Sequence, residues 1–328
     1  MIHLLNLKKL FYPDLKVSII IVNHNTAEVL KECIESVYQY EDKNTFEIII
    51  VDNNSSDNSN EIISFFQGNN VNIKSILLNK LESFSLANNR GYDLSSGDVI
   101  LIMNPDIIFT EPVLKRLVFN FEEDKNVGAI SPMLIGQDGK FQRNYFQRYP
   151  SVIQYFLFHS VLMKVFYRFP KLMNRYLENQ DIEKSKKEIF YVEQIPGAFF
   201  LMPRKVFEQV GKMDEKFPLF FEDMDLSYQI NKNYKNAVNT KLKITHLGGT
   251  SFQSDENWWL YSRYTMSMNY FFDKNYNFLR GLILKILSVV NSSLIILIEI
   301  LKGFVGKKNI YRYKKHKNFL KDFFEYYF

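Results

Sequence analysis

The first 110 residues constrain the fold most strongly, because short continuous apolar runs alternate there with amphipathic stretches. Most of the runs are rich in Ile and Val, as expected of strands that are covered on both faces. We predict strands at residues 17–22, 46–51, 72–78 and 98–103, and helices at residues 27–40, 58–67 and 85–95. This alternation predicts an α/β fold with a mostly parallel central sheet flanked by helices.

The second half of the chain is less regular. We predict strands there at residues 127–134, 195–202 and 241–246, and helices at residues 204–210 and 222–231. The hydrophobic fraction of 46% indicates a packed core. The net charge of +5 is too small to indicate a nucleic-acid partner, and a single cysteine excludes an internal disulfide. Polar residues break the apolar run at the N-terminus, which is too short for a signal peptide.

Polar loops follow three of the predicted strands: NHNT at residues 23–26, DNNSSD at 52–57 and NPDI at 104–107. Right-handed crossovers place these loops at one edge of the sheet, where ligands of open α/β sheets bind. No G-x-G-x-x-G or Walker-type glycine loop follows the first strand. Any phosphates must therefore be neutralised in another way, and carboxylates that hold Mg²⁺ or Mn²⁺ are the best candidates.

Two carboxylates stand at the ends of these strands. Asp106 follows Pro105 and could hold a hard cation that bridges a diphosphate, although Asn-Pro-Asp also favours an ordinary turn. Asp52 could accept a hydrogen bond from the imide N–H of uracil or thymine. The alternative for Asp52 is that it ends a strand and caps the following helix.

Further candidates lie in the second half. Glu222, Asp223 and Asp225 directly follow an aromatic run at residues 217–221. An apolar pocket there would raise a carboxylate pKa and suit a general base, whereas acids at a helix start also interact with the helix dipole. His246 could complete a metal shell beside a carboxylate, or it could be a partly buried polar residue.

These segments, taken in order, resemble the family-2 glycosyltransferases with the GT-A fold, and most of all the bacterial rhamnosyltransferase-like branch that builds surface polysaccharide such as O-antigen or capsule. The resemblance covers roughly residues 16–252. The segments that carry it are VSIIIVNHNT, IIIVDNNSSDNS, LANNRGYDLSSGDVILIMNPDI, PGAFFLMPRKVFEQVGKMDEKFPLFFEDMDLSYQI and ITHLGGTSF.

The resemblance implies an inverting transfer in which Asp223, beside Glu222, is the catalytic base. It implies that Asp106 and His246 hold the Mg²⁺ or Mn²⁺ ion. In the D-x-D position of the family, Asn104 replaces the first acid, which weakens the expected metal site. The implied contacts with the nucleotide sugar are Asn23, Asn25, Asp52, Asn54, Asn89, Arg90, Asn104 and Gly197.

The implied donor is dTDP-rhamnose or another dTDP- or UDP-sugar, and the implied acceptor is a lipid-linked glycan or a polysaccharide. The Q-x-x-R-W segment of processive synthases is not found, so one residue is transferred per acceptor. Two other functions stay open at this point. Asn104 is compatible with an inactive, membrane-bound carbohydrate-binding or scaffold protein, and a sugar-phosphate nucleotidylyltransferase would need a basic glycine-rich loop after the first strand.

We expect a GT-A domain at residues 1–272, with a nucleotide-binding half at about 16–110 and a catalytic half at about 111–260. Residues 273–328 would form a helical extension. The apolar stretch 279–305 places its polar residues on one helical stripe: Lys285, Ser288, Ser292, Glu299 and Lys302. We therefore predict a helix lying in the membrane interface, with the basic residues of 307–317 at anionic headgroups.

This helix would attach the protein peripherally to the cytoplasmic face of the plasma (inner) membrane. Its uncharged run at residues 286–298 is shorter than the roughly 20 residues that a spanning helix needs. The alternatives are a tilted span, or a helix that packs on the core of the protein or in a homodimer.

Overall fold

The structure is a computed structural model that describes residues 16–70, 72–169, 182–248 and 257–327. The N-terminal apolar run considered for a signal peptide lies in residues 1–15, outside these ranges. The strands are β1 (Val17–Asn23), β2 (Phe46–Asp52), β3 (Ile73–Leu77), β4 (Val99–Met103), β5 (Ile107–Ile108), β6 (Val127–Ile135), β7 (Ile189–Val192), β8 (Phe199–Pro203) and β9 (Lys235–His246). The α-helices are α1 (Ala27–Tyr40), α2 (Ser59–Asn69), α3 (Phe84–Leu94), α4 (Leu114–Glu123), α5 (Val152–His159), α6 (Met163–Phe166), α7 (Arg204–Gln209), α8 (Glu222–Ile230), α9 (Trp258–Asn275), α10 (Phe278–Gly303) and α11 (Ile310–Tyr327).

The described strands join one sheet in the order β3-β2-β1-β4-β8-β6-β9-β5, and β7 pairs with β9. Strands β3, β2, β1 and β4 run parallel, and every residue of β1, β2 and β4 is buried. Beyond β4 the sheet is mixed, because β8 is antiparallel to both β4 and β6, whereas β6 and β9 are parallel. The predicted α/β fold is confirmed, and its parallel part is concentrated in the first half of the chain.

Helix α3 approaches the parallel strands closely at Gly91. A methyl group on Gly91 would lie 2.5 Å from Cγ2 of Ile20 and 3.1 Å from Cγ2 of Val51. Only a residue without a side chain fits at this contact. The close approach fixes how Asn89 and Arg90, the two residues before the glycine, are presented.

Strand β9 begins six residues before the predicted start at residue 241, and the reason lies in its buried amides. The side chain of Asn236 is fully buried and donates hydrogen bonds to the carbonyl oxygens of Glu193 and Ser227. Asn239 is also fully buried and bonds Asn120. Polar residues that are satisfied inside the core hide the apolar pattern by which a buried strand is recognised.

The last three helices pack on one another and on the catalytic half. Lys274 of α9 places its ammonium 2.7 Å from carboxylate oxygens of both Asp214 and Asp225, so it joins α9 to the start of α8. An aromatic and aliphatic cluster fills the same contact; its buried members are Tyr155, Phe217, Phe221, Met224, Met268, Phe271, Phe272 and Leu284. The domain division at residue 272 stays a prediction, and α9 runs across it to Asn275.

Helix α10 carries the predicted polar stripe on one side. Its polar stripe faces the protein: Ser288, Ser292 and Glu299 are fully buried, and Glu299 pairs with Lys302 and Arg312. The opposite face is apolar and between 44% and 57% exposed at Ile286, Val290, Leu294, Leu297 and Leu301. The stripe therefore does not point at headgroups, because buried polar groups need partners and the neighbouring helices supply them. Within the described residues, α10 is the one helix long and apolar enough to cross a membrane.

Candidate active site

The first two strands end side by side at the edge of the sheet, where Asn23 is in register with Asp52. Oδ1 of Asp52 accepts hydrogen bonds from Nδ2 of Asn23 at 2.9 Å and from Oγ of Ser55 at 2.6 Å. Oδ2 of Asp52 accepts the N–H of Ser55 at 2.9 Å. The carboxylate thus organises its own loop and does not cap α2, and one acceptor position remains on Oδ2.

The predicted nucleotide-binding residues fall into two groups. Asn23 is fully buried, and its amide bonds Asp52 and Ser59, so it orients the loop. Asn25 and Asn54 are exposed and have positive φ angles of 54° and 61°, which asparagine tolerates better than most residues. The two loops lock together through the N–H of Ser56, which donates to Oδ1 of Asn25 at 2.7 Å.

The two predicted residues on α3, Asn89 and Arg90, also differ in their exposure to solvent. The side-chain amide of Asn89 is buried and donates to the carbonyl oxygen of Met213 and to Glu215, both at 2.9 Å. Asn89 therefore ties α3 to the segment that precedes α8. Arg90 points to solvent. Of these two residues, Arg90 is therefore the one whose side chain is exposed.

The predicted metal ligands meet where β5 pairs with the end of β9. Ile107 is in register with His246, and this pairing places Nε2 of His246 3.4 Å from Oδ1 of Asp106. Both side chains are almost fully buried. Nε2 of His246 has no hydrogen-bond partner among the described residues.

Gln142, which the sequence did not single out, orients this histidine. Nδ1 of His246 lies 2.7 Å from Oε1 of Gln142, whose Nε2 donates to the carbonyl oxygen of His246 at 3.0 Å. Nδ1 therefore donates to Gln142, and Nε2 is the ring nitrogen that faces Asp106. Such a second partner is typical of metal-binding histidines. In the neutral ring, Nε2 would present a lone pair beside a buried carboxylate, a combination that suits a divalent cation, so the predicted pair fits a metal.

This site offers fewer carboxylates than many metal centres. No group of three or more His, Cys, Asp or Glu residues that could hold a metal occurs within the described residues. Asn104 is half-buried, and its N–H donates to the carbonyl oxygen of Ala198 at 3.1 Å. Two protein ligands leave most of the coordination shell to other oxygens, as is usual for Mg²⁺ that is bound together with phosphates.

The predicted base, Asp223, lies at the start of α8 opposite Gly197. Oδ2 of Asp223 accepts the N–H of Gly197 at 2.9 Å and Nε2 of Gln194 at 3.1 Å. Oδ1 accepts only the N–H of Met224, at 2.7 Å. Burial raises the pKa of Asp223, and the three hydrogen bonds partly oppose this effect. Oδ1 keeps an acceptor position that the described residues do not fill, so it is the atom suited to receive a proton.

Glu222 lies directly beside Asp223 and is more deeply buried. Burial, and secondly the charge of Asp223, raise the pKa of Glu222. Its Oε2 has no hydrogen-bond partner among the described residues. Two neighbouring carboxyl groups in apolar surroundings do not both ionise easily, so Glu222 holds its proton more readily.

The turn before these acids is strained. Phe220 and Phe221 both have left-handed backbones, with φ of 68° and 67°. This conformation is an outlier for bulky side chains and persists only where the surroundings enforce it. Phe221 is buried in the cluster shared with α9, so packing of the aromatic ring offsets the strain and sets the position of Asp223.

The candidate metal pair and the candidate base are linked through the chain. Asn104 and Asp106 follow β4, whereas Gly197 and Ala198 precede β8, which pairs with β4. The hydrogen bond from Asn104 to Ala198 joins these two loops directly. Sequence reasoning missed Gln142 and Gln194, since a lone glutamine between strands carries no recognisable signal.

The strand order, the edge loops and this site define a class of nucleotide-diphospho-sugar transferases with the GT-A fold. Mannosyltransferase PcManGT from Pyrobaculum calidifontis, in complex with GDP-Man and Mn²⁺, superposes with a TM-score of 0.53 at 14% identity, over 83% of this chain and 70% of that chain. GalNAc-T7 with UDP, GalNAc and Mn²⁺ superposes with a TM-score of 0.53 at 15% identity, over 79% of this chain and 50% of that chain. At such identities these likenesses establish the fold alone, and the GT-A prediction is confirmed.

The profile of glycosyl transferase family 2 matches residues 18–211, more than half of the chain, so the protein belongs to this family. The probable glycosyltransferase YdaM of Bacillus subtilis is 25% identical over 225 residues, which are 66% of this chain and 46% of YdaM. The N-acetylglucosaminyl-diphospho-decaprenol L-rhamnosyltransferase of Mycobacterium tuberculosis is 26% identical over 135 residues, 41% of this chain and 42% of that protein. The chain spans less than half the length of these two relatives.

Proposed function

We propose that the protein catalyses an inverting, non-processive transfer in which Asp223 is the general base. The observation that carries this proposal is the hydrogen-bonding of its carboxylate, where Oδ2 is occupied by Gly197 and Gln194 while Oδ1 keeps a free acceptor position. Oδ1 takes the proton of an acceptor hydroxyl as that oxygen bonds to the anomeric carbon. The bond from the anomeric carbon to the diphosphate breaks in the same step, so the configuration inverts.

Asp106 and His246 would hold the divalent cation, Mg²⁺ or Mn²⁺. When bound, the cation would neutralise the charge that develops on the departing diphosphate. Gln142 fixes the histidine ring for this role. The small residue Gly197 keeps the backbone close to Asp223, since a methyl group there would lie 3.4 Å from Cβ of Asp223.

The donor in this proposal is dTDP-rhamnose or another dTDP- or UDP-sugar. The remaining acceptor position on Oδ2 of Asp52 supports a contact with a pyrimidine imide N–H. Asn25, Asn54 and Arg90 are exposed and Asn104 is half-buried, and these four residues would contact the rest of the donor. Asn23 and Asn89 act indirectly, because their amides are bound within the protein.

The acceptor in this proposal is a lipid-linked glycan of bacterial surface polysaccharide, used on the cytoplasmic side of the plasma membrane. The name of the mycobacterial relative, which specifies a decaprenol diphosphate acceptor, supports a lipid-linked substrate. The exposed apolar face of α10 supports peripheral attachment, since such a face is stable against lipid. Glutamate at Val290 and Leu297 together should abolish sedimentation of the full chain with liposomes, and unchanged sedimentation would exclude this face as the anchor.

A panel of nucleotide sugars tests the reaction, with release of free nucleoside diphosphate as the measurement. We expect release from a dTDP- or UDP-sugar, a loss of about 100- to 10,000-fold in Asp223→Asn, and retained donor binding in that variant. Asp42→Asn changes an exposed aspartate far along the chain and is the matched control. Full turnover by Asp223→Asn would show that another group is the base.

A further inference from the structure

A cavity lies between the C-terminal helices and α5–α6, and neither the proposed metal ligands nor Asp223 line it. Its volume is about 390 Å³, within the range of small-ligand sites. Two cations from α11, Arg312 and Lys315, line it together with aromatic residues of α9. We infer that this cavity binds the diphosphate of a lipid-linked acceptor, an inference that rests on the proposed glycosyltransfer to such a lipid.

The charge of Lys315 is the first argument. The Lys315 side chain is half-buried, and it forms no ion pair among the described residues. Its ammonium lies 4.9 Å from the ring centroid of Tyr261, a weaker partner than a carboxylate. Burial and the nearby Arg312 both lower the pKa of Lys315. An anion between the two cations would offset both effects.

The remaining polar groups of the cavity do not supply that anion. Arg312 shares Glu299 with Lys302, and Glu299 also accepts the N–H of Asn309 at 2.8 Å. The carboxylate of Glu299 does not line the cavity, and these three partners already satisfy it. The cavity walls otherwise carry neutral rings, since burial lowers the pKa of both His159 and His316.

The position of the cavity is the second argument, because it lies between the exposed apolar surface and the base. On one side, Met163 and Ile295 line it, and the residues that precede them in the chain, Leu162 and Leu294, are both 44% exposed. A lipid chain leaving the cavity would meet this surface. On the other side, the strained residue Phe220 lines the cavity.

Phe220 stands three residues before Asp223, and Tyr264 packs against it at 6.1 Å between ring centroids. A diphosphate in the cavity therefore places the attached sugar towards the catalytic turn and the lipid towards the apolar surface. Neither a soluble sugar nor a simple apolar ligand would use both the cations and the apolar border. A diphosphate carried on a prenyl chain uses both.

Binding of the full chain to phosphatidylcholine vesicles that contain a prenyl diphosphate tests the inference. We expect Lys315→Gln to weaken binding by about 10- to 100-fold, the effect of losing one charge-assisted hydrogen bond, and Lys315→Arg to retain most of it. Lys314→Gln removes the same charge from an exposed position on the same helix and should bind like the wild type. Equal binding by Lys315→Gln and Lys314→Gln would overturn the inference.

Vesicles with phosphatidylglycerol in place of the prenyl diphosphate separate the two sources of lipid phosphate. If Lys315→Gln binds both kinds of vesicle more weakly than the wild type does, and to the same extent, the cavity holds phospholipid headgroups and the acceptor assignment is wrong. Acetylation of the wild-type lysines, read by mass spectrometry, gives a test that needs no folded variant. A prenyl diphosphate should protect Lys315 and not Lys314, and the corresponding prenol should protect neither. Hydrolytic release of nucleoside diphosphate, in which water takes the place of the acceptor hydroxyl, needs no lipid. It tests the proposed function separately, so the two proposals can fail independently.

Discussion

Gln194→Met should shift the pH dependence of transfer, because Gln194 stabilises the ionised form of the base. Its Nε2 donates to Oδ2 of Asp223 at 3.1 Å, one of three hydrogen bonds that oppose the effect of burial on the pKa of Asp223. A hydrogen bond to a charged group is worth about 1.5 kcal/mol at the lower end. One pKa unit corresponds to about 1.4 kcal/mol, so we expect the pKa of Asp223 to rise by about one unit.

The direction of the shift follows from the role of the base. Asp223 accepts a proton only when ionised, so activity is lost as the pH falls through its pKa. With a higher pKa, Gln194→Met loses activity at a higher pH than the wild type. Well above both values, the two proteins should turn over at similar rates. Because Glu222 lies directly beside Asp223 and the charge of Asp223 raises the pKa of Glu222, the midpoint of the acidic limb belongs to the pair.

The assay is kcat/KM for nucleoside diphosphate release, measured across the acidic limb. Gln229→Met is the matched control, because Gln229 lies on the same helix as Asp223 but donates its hydrogen bond to Asp225. The substitution at Gln194 should be well tolerated, since its Oε1 is buried without a hydrogen-bond partner among the described residues. An unmoved acidic limb, or a uniform loss of rate at every pH, would refute the reasoning.

Three further predictions concern other parts of the structure. Gln142→Leu removes the partner that orients His246, so Mn²⁺ affinity measured by calorimetry should fall by about 10- to 100-fold, and an unchanged affinity would remove the histidine from the site. Lys274→Met leaves two carboxylates without their cation, and the free energy of unfolding in urea should fall by about 3 kcal/mol. Burial lowers the pKa of His159 to about 4 and of His316 to about 3. Because the unfolded chain then binds more protons, the melting temperature should drop as the pH falls below about 6.5, and a flat profile would contradict their burial as neutral rings.

The parallel half of the fold was predictable because β1, β2 and β4 are almost purely apolar and each ends in a polar loop. The start of β9 was not, since Asn236 and Asn239 place amides inside the core. In the same way, the candidate site was visible in its acids and its histidine. The residues that orient these side chains could not be predicted from the sequence. Gln142 and Gln194 reach His246 and Asp223 only through hydrogen bonds between distant parts of the chain.

The polar stripe of α10 shows that spacing can identify one side of a helix without revealing what that side contacts. Spacing in the sequence correctly grouped Ser288, Ser292 and Glu299 on one side of a helix. It could not tell whether that side meets water or protein, because both environments can satisfy polar groups. The deciding partners include Arg312, which lies on another helix.

The clamp at Lys274 bears on how such enzymes diverge. Asp214 precedes the catalytic turn and Asp225 lies two residues after the base, and both depend on a cation that belongs to the C-terminal helices. A tail from another relative could not be grafted onto this chain unless it brought an equivalent lysine. The three positions are therefore expected to change together over evolution, and the last helices to be inherited together with the segment around Asp223.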